Sequence, residues 1–277
     1  MDPIKQAFER ASSAANKAHA RPTPAGGGPA GRAAAEAALP HDAAAPRVAN
    51  AHRRTRLVPR NDAALIANRV LTGDADDPST RAIKRLRTHV LQHMRSRDQR
   101  TLSLTTPRSG GGTTYTTVNL AISLARELEH HVCLVDLNWQ RPAIATRFGA
   151  HVEHDLIDVL EGRASLPDAL FNPGVPRLVV LPGGNAGTRA SELLASGAVT
   201  ALVDELRRRY PDRFVLFDLP PLLGYDDAMA FLPNTDALLL VTRESFTSRA
   251  DTRAALALLE HRPLMGVVLN DCLDQPG

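Results

Sequence analysis

The sequence predicts an α/β fold: a doubly wound, mostly parallel sheet with helices on both faces. Three observations predict it. Six short apolar runs recur from residue 101 onward, amphipathic helical patterns fill the gaps between them, and the runs are apolar almost throughout rather than alternating. Continuous apolar runs suit strands buried on both faces, and strands interleaved with helices suit a parallel sheet whose ligand site lies at the carboxyl ends of the strands.

Along the chain, residues 1–18 place Ile4, Ala7, Phe8 and Ala11 at helical spacing, a short amphipathic helix that needs a surface to dock against. Residues 19–76 are read as a flexible Ala/Pro/Gly/Arg-rich linker, so the arm before the globular part is expected to be disordered, with 61–77 as its transition. A helix starts near Pro78 and carries Ile83, Leu86, Val90 and Leu91 on one stripe. Strands are expected at 101–106, 131–137, 177–183, 213–219, 236–242 and 264–270. Helices are expected after the first of these (Val118, Leu120, Ala121, Leu124, Leu128), over 193–210 and over 249–260. The domain is thus 77–277, without internal repeats.

The net charge of +3 is unevenly spread: residues 1–60 hold ten basic and four acidic side chains, leaving 23 basic and 26 acidic beyond them. A basic arm can touch an anionic membrane or nucleic acid, but its composition favours a solvated linker, and nucleic acid is not an expected partner. Cys133 and Cys272 lie in separate apolar runs, which suits a reduced cytosol and gives no metal-ligand spacing. No apolar run approaches the ~18 residues of a membrane span, and Met1–Arg10 is too charged for a secretory signal. A cytoplasmic protein is expected.

Three loops leaving strand ends carry polar residues. In "TTPRSGGGTTYTTVNLA", Gly110, Gly111 and Gly112 join a strand to a helix, so backbone amides can curl around a phosphate and the helix dipole adds to the attraction. Such a loop ordinarily supplies a Lys and a Ser/Thr; here Thr113 holds the Lys position and Thr114 the metal-binding hydroxyl. "VCLVDLNWQRP" ends a strand with Asp136, followed by Asn138, Arg141 and Pro142; "RFVLFDLPPLL" ends one with Asp218. A carboxylate at a buried strand end beside a phosphate loop commonly holds Mg²⁺ or its waters, although Asp at a strand end is also ordinary turn chemistry.

In this order the three motifs resemble the cytoplasmic domain of bacterial tyrosine kinases of capsule and exopolysaccharide synthesis, relatives of the MinD/ParA-type P-loop ATPases. "TPRSGGGTTYTTVNLA" resembles the Walker A motif, "VDLNWQRP" the second aspartate motif, and "FDLPP" Walker B; "SELLAS", "YDDAMAF" and "GVVLN" also match. The resemblance implies a P-loop NTPase fold, ATP or ADP with Mg²⁺, and catalytic roles for Asp136 and Asp218. It implies cofactor contacts at Arg108, Gly110–Gly112, Thr113, Thr114 and Asn270, and metal contacts at Thr114, Asp136 and Asp218. The short helix and linker are similar to stand-alone members that dock on a membrane chain-length or co-polymerase protein, which implies a peripheral position at the inner membrane.

The departures from the family pattern bear on chemistry. Thr113 replaces the lysine and Asn138 a carboxylate, while Arg108 falls near an extra signature lysine. The Glu-x-x-Arg-x-x-Arg ring-assembly motif reads Arg81, Lys84, Arg87, which replaces an attraction between neighbours with repulsion. The tyrosines are Tyr115, Tyr210 and Tyr225, with none in "LNDCLDQPG". Losing one preorganised donor at a developing charge costs roughly 3 kcal/mol, or ~10²-fold in rate. The expectation is a catalytically impaired regulatory subunit. Two alternatives stay open: an active kinase in which Arg108 or a partner's cation replaces the lysine, and a MinD-like positioning ATPase. Elsewhere, "HVEHD" (151–155) is read as an ordinary loop more than a metal site, Arg207–Arg209 as a solvated helix end, and Trp139 as packing. Asp227 is left between an acidic site contact and a helix N-terminal carboxylate.

Overall fold

The structure, a computed structural model, describes residues 55–71, 77–127, 130–209 and 213–272. The docking helix expected over 1–18, the linker segments 19–54 and 72–76, and Tyr210 lie outside these residues. The strands are β1 (Arg56–Leu57), β2 (Thr101–Thr105), β3 (His131–Asp136), β4 (Phe171–Asn172), β5 (Leu178–Leu181), β6 (Arg213–Asp218), β7 (Ala237–Arg243) and β8 (Leu264–Asn270). They form one sheet in the order β1-β4-β5-β3-β6-β2-β7-β8. Every pairing is parallel except β4 against β5.

Strands β3, β5, β6 and β7 serve two cores, which is why their middles are apolar at successive positions; β2 instead alternates Leu102 and Leu104 with buried Thr101, Ser103 and Thr105. On β3, Val132 and Leu134 join the cluster that contains Val90, Leu104 and Leu120, while Cys133 and Val135 join the opposite cluster with Leu206, Phe217 and Phe231. On β7, Ala237, Leu239 and Val241 go one way, Leu238 and Leu240 the other. This is the doubly wound α/β sheet that the sequence predicts.

Helix starts follow local chemistry. The Pro78–Ser96 helix is capped by Asp77, whose carboxylate accepts from Thr80 N at 3.0 Å and Thr80 Oγ1 at 2.6 Å, with Pro78 in the first turn. The helix expected over 193–210 is two: Ala190–Leu194 and Gly197–Arg209. Ser196 breaks it, its hydroxyl donating to Leu193 O at 2.6 Å just before Gly197.

Two readings are corrected. The linker expected over 19–76 does not extend through 55–71. There Leu57 pairs with Asn172, the Asp62–Ala67 helix follows an Asn61 cap, and Val58, Leu65 and Val70 are buried in the core. With one buried leucine in six helical residues, the segment has too little periodicity to stand out. Arg207 is not a solvated helix end: its Nη2 donates to Asp236 Oδ1 at 2.8 Å, Thr101 Oγ1 at 3.0 Å and Asn234 O, tying the helix to the starts of β2 and β7.

Leu65→Ala is expected to destabilise the domain by about 2–4 kcal/mol, as for a buried leucine. A change within about 0.5 kcal/mol, read by denaturant unfolding, would mean that 55–71 behaves as surface linker.

Candidate functional site

The loop after β2 turns sharply beneath two neighbours. Gly111 lies so close to Thr106 that an added Cβ would fall 2.0 Å from Thr106 Oγ1. Gly112 has φ +88°, and a Cβ there would fall 2.0 Å from Asn270 Nδ2; left-handed backbone and contact both require glycine. Asn270, ending β8, donates from Nδ2 to Gly111 O at 3.3 Å. Thr106 Oγ1 closes the turn on Arg108 O at 3.2 Å.

The Thr113–Ala125 helix starts there. Gly112 offers it no side-chain cap, so amide donors of the first turn face the cleft without a side-chain acceptor from their own cap. The cleft, about 310 Å³, is lined on one side by Ser109–Tyr115 and on the other by Asn138, Gln140, Arg141 and Arg147, with Pro221 and Tyr225 at its edge. Thr113 is 6% exposed. Its hydroxyl is buried without a hydrogen-bond partner.

Behind the loop, β3 and β6 end side by side, so that Asp136 and Asp218 are direct neighbours in the register. Thr114 Oγ1 donates to Asp218 Oδ2 at 2.6 Å and Thr117 Oγ1 to Asp218 Oδ1 at 3.3 Å. Asp136 accepts three backbone amides: Asn138 N at 3.1 Å, Ala143 N at 2.9 Å and Ile144 N at 3.0 Å. Both carboxyls are pushed above the ordinary carboxylate range because burial disfavours their charged form. Asp218 is pushed further, since the neighbouring Asp136 charge adds to desolvation and outweighs its two hydroxyl donors.

The expected site residues therefore separate by position. Gly110, Gly111, Gly112, Thr113 and Thr114 line the cleft, and Asn138 faces them with a buried Oδ1 that has no partner. Asn270 holds the loop's backbone from beneath. Arg108 points elsewhere: its Nε donates to Asp251 Oδ1 at 2.8 Å and its side chain is 62% exposed. Asp136 has both oxygens on amides and shapes the loop to the helix Ile144–Arg147, and Asp218 has both on the hydroxyls of Thr114 and Thr117, so that of the three expected metal contacts Thr114 lines the cleft and Asp218 stands behind it. Orphaned Thr113 Oγ1, the glycine cradle and the uncapped helix fit a phosphate group.

Other candidates resolve into structure. Asp155 caps the helix Leu156–Leu160 in a capping box with Asp158, and His154 Nδ1 lies 3.6 Å from Asp158 Oδ2, which explains "HVEHD". Among the described residues no group of three or more His, Cys, Asp or Glu could hold a metal. Trp139 is buried, its Nε1 donating to Asp136 O at 3.2 Å. Asp227 does both things weighed for it: it sits in a helix first turn and accepts from Gln140 Nε2, a cleft residue, at 3.0 Å. Sequence reasoning passed over Gln140, although it lies inside the second motif, and Arg147, which the fold rather than a motif brings to the cleft.

A Gly-rich loop on a helix N-terminus, with strand-end aspartates beside it at the carboxyl edge of a parallel sheet, defines a P-loop NTPase-type site. No family profile matches the chain. EpsB of Ralstonia solanacearum, provisionally named a tyrosine-protein kinase, is 30% identical over 208 residues, 74% of this chain and 27% of EpsB. The tyrosine-protein kinase CpsD of Streptococcus agalactiae is 25% identical over 177 residues, 63% of this chain and 76% of CpsD. The succinoglycan biosynthesis transport protein ExoP of Rhizobium meliloti is 27% identical over 187 residues, 65% of this chain and 23% of ExoP. Among solved structures, the BceF tyrosine kinase domain superposes with a TM-score of 0.64 at 26% identity, covering 80% of this chain and 85% of that domain. The septum site-determining protein MinD of Pyrococcus horikoshii, complexed with Mg-ADP, gives 0.52 at 25% identity, covering 61% and 69%. The chain is a homologue of the bacterial tyrosine kinases of exopolysaccharide and capsule biosynthesis, within the MinD/ParA-type P-loop superfamily. It spans only about a quarter of the length of EpsB and ExoP.

The raised Asp218 pKa has a consequence for stability. A carboxyl whose pKa is higher folded than unfolded favours folding below its unfolded value of about 3.9, and that contribution is lost as pH rises through the folded value. Asp218→Asn stays neutral and still accepts from Thr114. Its melting temperature relative to wild type is therefore expected to rise between pH 5 and pH 8, by at least about 2 °C. A difference independent of pH, or falling with it, would contradict the burial argument.

Proposed function

We propose that this chain is a catalytically impaired, kinase-like regulatory subunit of exopolysaccharide or capsule synthesis. It binds ATP or ADP with Mg²⁺ weakly in the cleft, and works from the cytoplasm at the inner membrane through a membrane chain-length or export protein. The observation that carries the reading is Thr113: the lysine position holds a short, buried hydroxyl with no charge to meet a terminal phosphate. Bound Mg²⁺ would polarise the phosphate oxygens; Thr114 and Asp218 would hold it, the glycine loop would orient the phosphates, and Asn138 would contribute no charge. Loss of one such donor weakens transition-state stabilisation by roughly 3 kcal/mol or more.

Assembly by the family's ring motif has little support either. Arg87 pairs with Glu127 of its own chain at 3.0 Å, and Lys84 is exposed beside Arg81 in the same basic row. Among the described residues no helix is long and apolar enough to cross a membrane, which accords with attachment through a partner. A second reading, an active kinase with a substitute cation, is supported by the arginines on the cleft's far wall. The third, a positioning ATPase, has only the lower MinD similarity.

Titration calorimetry of ATP and ADP with Mg²⁺ on wild type and Thr113→Lys tests the reading. Weak wild-type binding, improved about tenfold or more by the lysine, is expected. Micromolar wild-type affinity with measurable phosphoryl transfer would overturn it. Deleting residues 1–18 is expected to abolish recruitment to the membrane partner while leaving the melting temperature unchanged; normal recruitment would refute docking through that helix.

A further inference from the structure

We propose that Arg147, delivered from the wall opposite the glycine loop, is the phosphate-binding cation of this cleft and stands in for the absent lysine in binding. The proposal rests on the nucleotide reading above. With Thr113 uncharged and Arg108 engaged by Asp251, the cations lining the cleft among the described residues are Arg141 and Arg147. Arg141 is exposed at the rim. Arg147 is placed.

Two independent anchors place it. Its helix, Ile144–Arg147, is fixed at its start by Asp136, which accepts the Ala143 and Ile144 amides. Its guanidinium is fixed by Asn68, whose carbonyl accepts from Nη1 at 3.0 Å. Asn68 is in turn held on Ala64 O at 2.9 Å and Thr146 O at 3.4 Å. The segment 55–71 is thus what sets the guanidinium against the cleft.

The remaining donor capacity points to an anion. Arg147 Nε is buried with no hydrogen-bond partner. A desolvated, unpaired guanidinium N–H is costly, and a planar fork is suited to phosphate oxygens. Thr113 Oγ1 on the facing wall is orphaned in the same way. Two orphaned donors and an uncapped helix N-terminus around one cleft match the terminal phosphates of a nucleoside di- or triphosphate.

Titration of the full chain with ATP, ADP and AMP in Mg²⁺ tests this, using Arg147→Met, Arg147→Gln, Arg147→Lys and Thr113→Lys. Arg147→Met is expected to weaken ATP about tenfold or more while leaving AMP unchanged, as for loss of a hydrogen bond to a charged group. Arg147→Lys should recover much of the loss. Thr113→Lys should gain more affinity for ATP in the Arg147→Met background than in wild type, because both cations would serve the same phosphates. Should the Met variant unfold, Arg147→Gln removes the charge while keeping a donor for Asn68, and carries the same expectation. An unchanged ATP-to-AMP ratio, or additive effects of the two substitutions, would overturn the assignment of Arg147 alone. So would a wild type that binds none of the three while Thr113→Lys binds ATP. If neither binds, the nucleotide reading fails with it.

Discussion

The fastening of the phosphate-type loop to the centre of the sheet is the constraint on which the rest of the site depends. Asp218, at the end of β6, takes the hydroxyls of Thr114 and Thr117 from the first turns of the helix that follows the glycines. That pins the helix N-terminus over the strand ends, and with it the cleft. The arrangement places two carboxyls side by side where water is excluded, and folding carries that electrostatic load at neutral pH. Asp136 offsets part of its own load by accepting three amides, and so gives the far wall its shape.

The sheet was legible because most central strands face two cores, which leaves short apolar runs whose length and spacing between helical patterns mark them as strands. All six expected strands are present. The two that were not anticipated, β1 and β4, have two residues each, too short for any pattern. The glycine loop and the strand-end aspartates were legible as motifs because their residues are adjacent in sequence. Arg147 and the Asn68 anchor were not, because residues 68 and 147 meet only through folding. Arg207 shows the same limit: a basic run at a helix end reads as solvated until Asp236 is brought against it.

The proposed impairment and the proposed role of Arg147 are compatible, because binding and turnover place different demands on a cation. A cation that meets the phosphates equally in the bound state and in the transition state adds affinity without raising the rate. Differential stabilisation of the transition state, not grip, raises the rate. The same economy is visible on the Pro78–Ser96 helix, where Arg87 is engaged with Glu127 within its own chain.

Gly111 and Gly112 are held by packing, one against Thr106 and the other against Asn270, whatever ligand the cleft takes. A side chain at either position strains the fold, whereas residue 113 is an ordinary helical position with no such backbone requirement. The two kinds of position therefore answer to different filters, foldability for the glycines and reactivity for the cation. In a lineage released from turnover, the glycine signature would outlast the chemistry it once served. A glycine-rich loop of this kind is a record of how a chain folds before it is a record of what it catalyses.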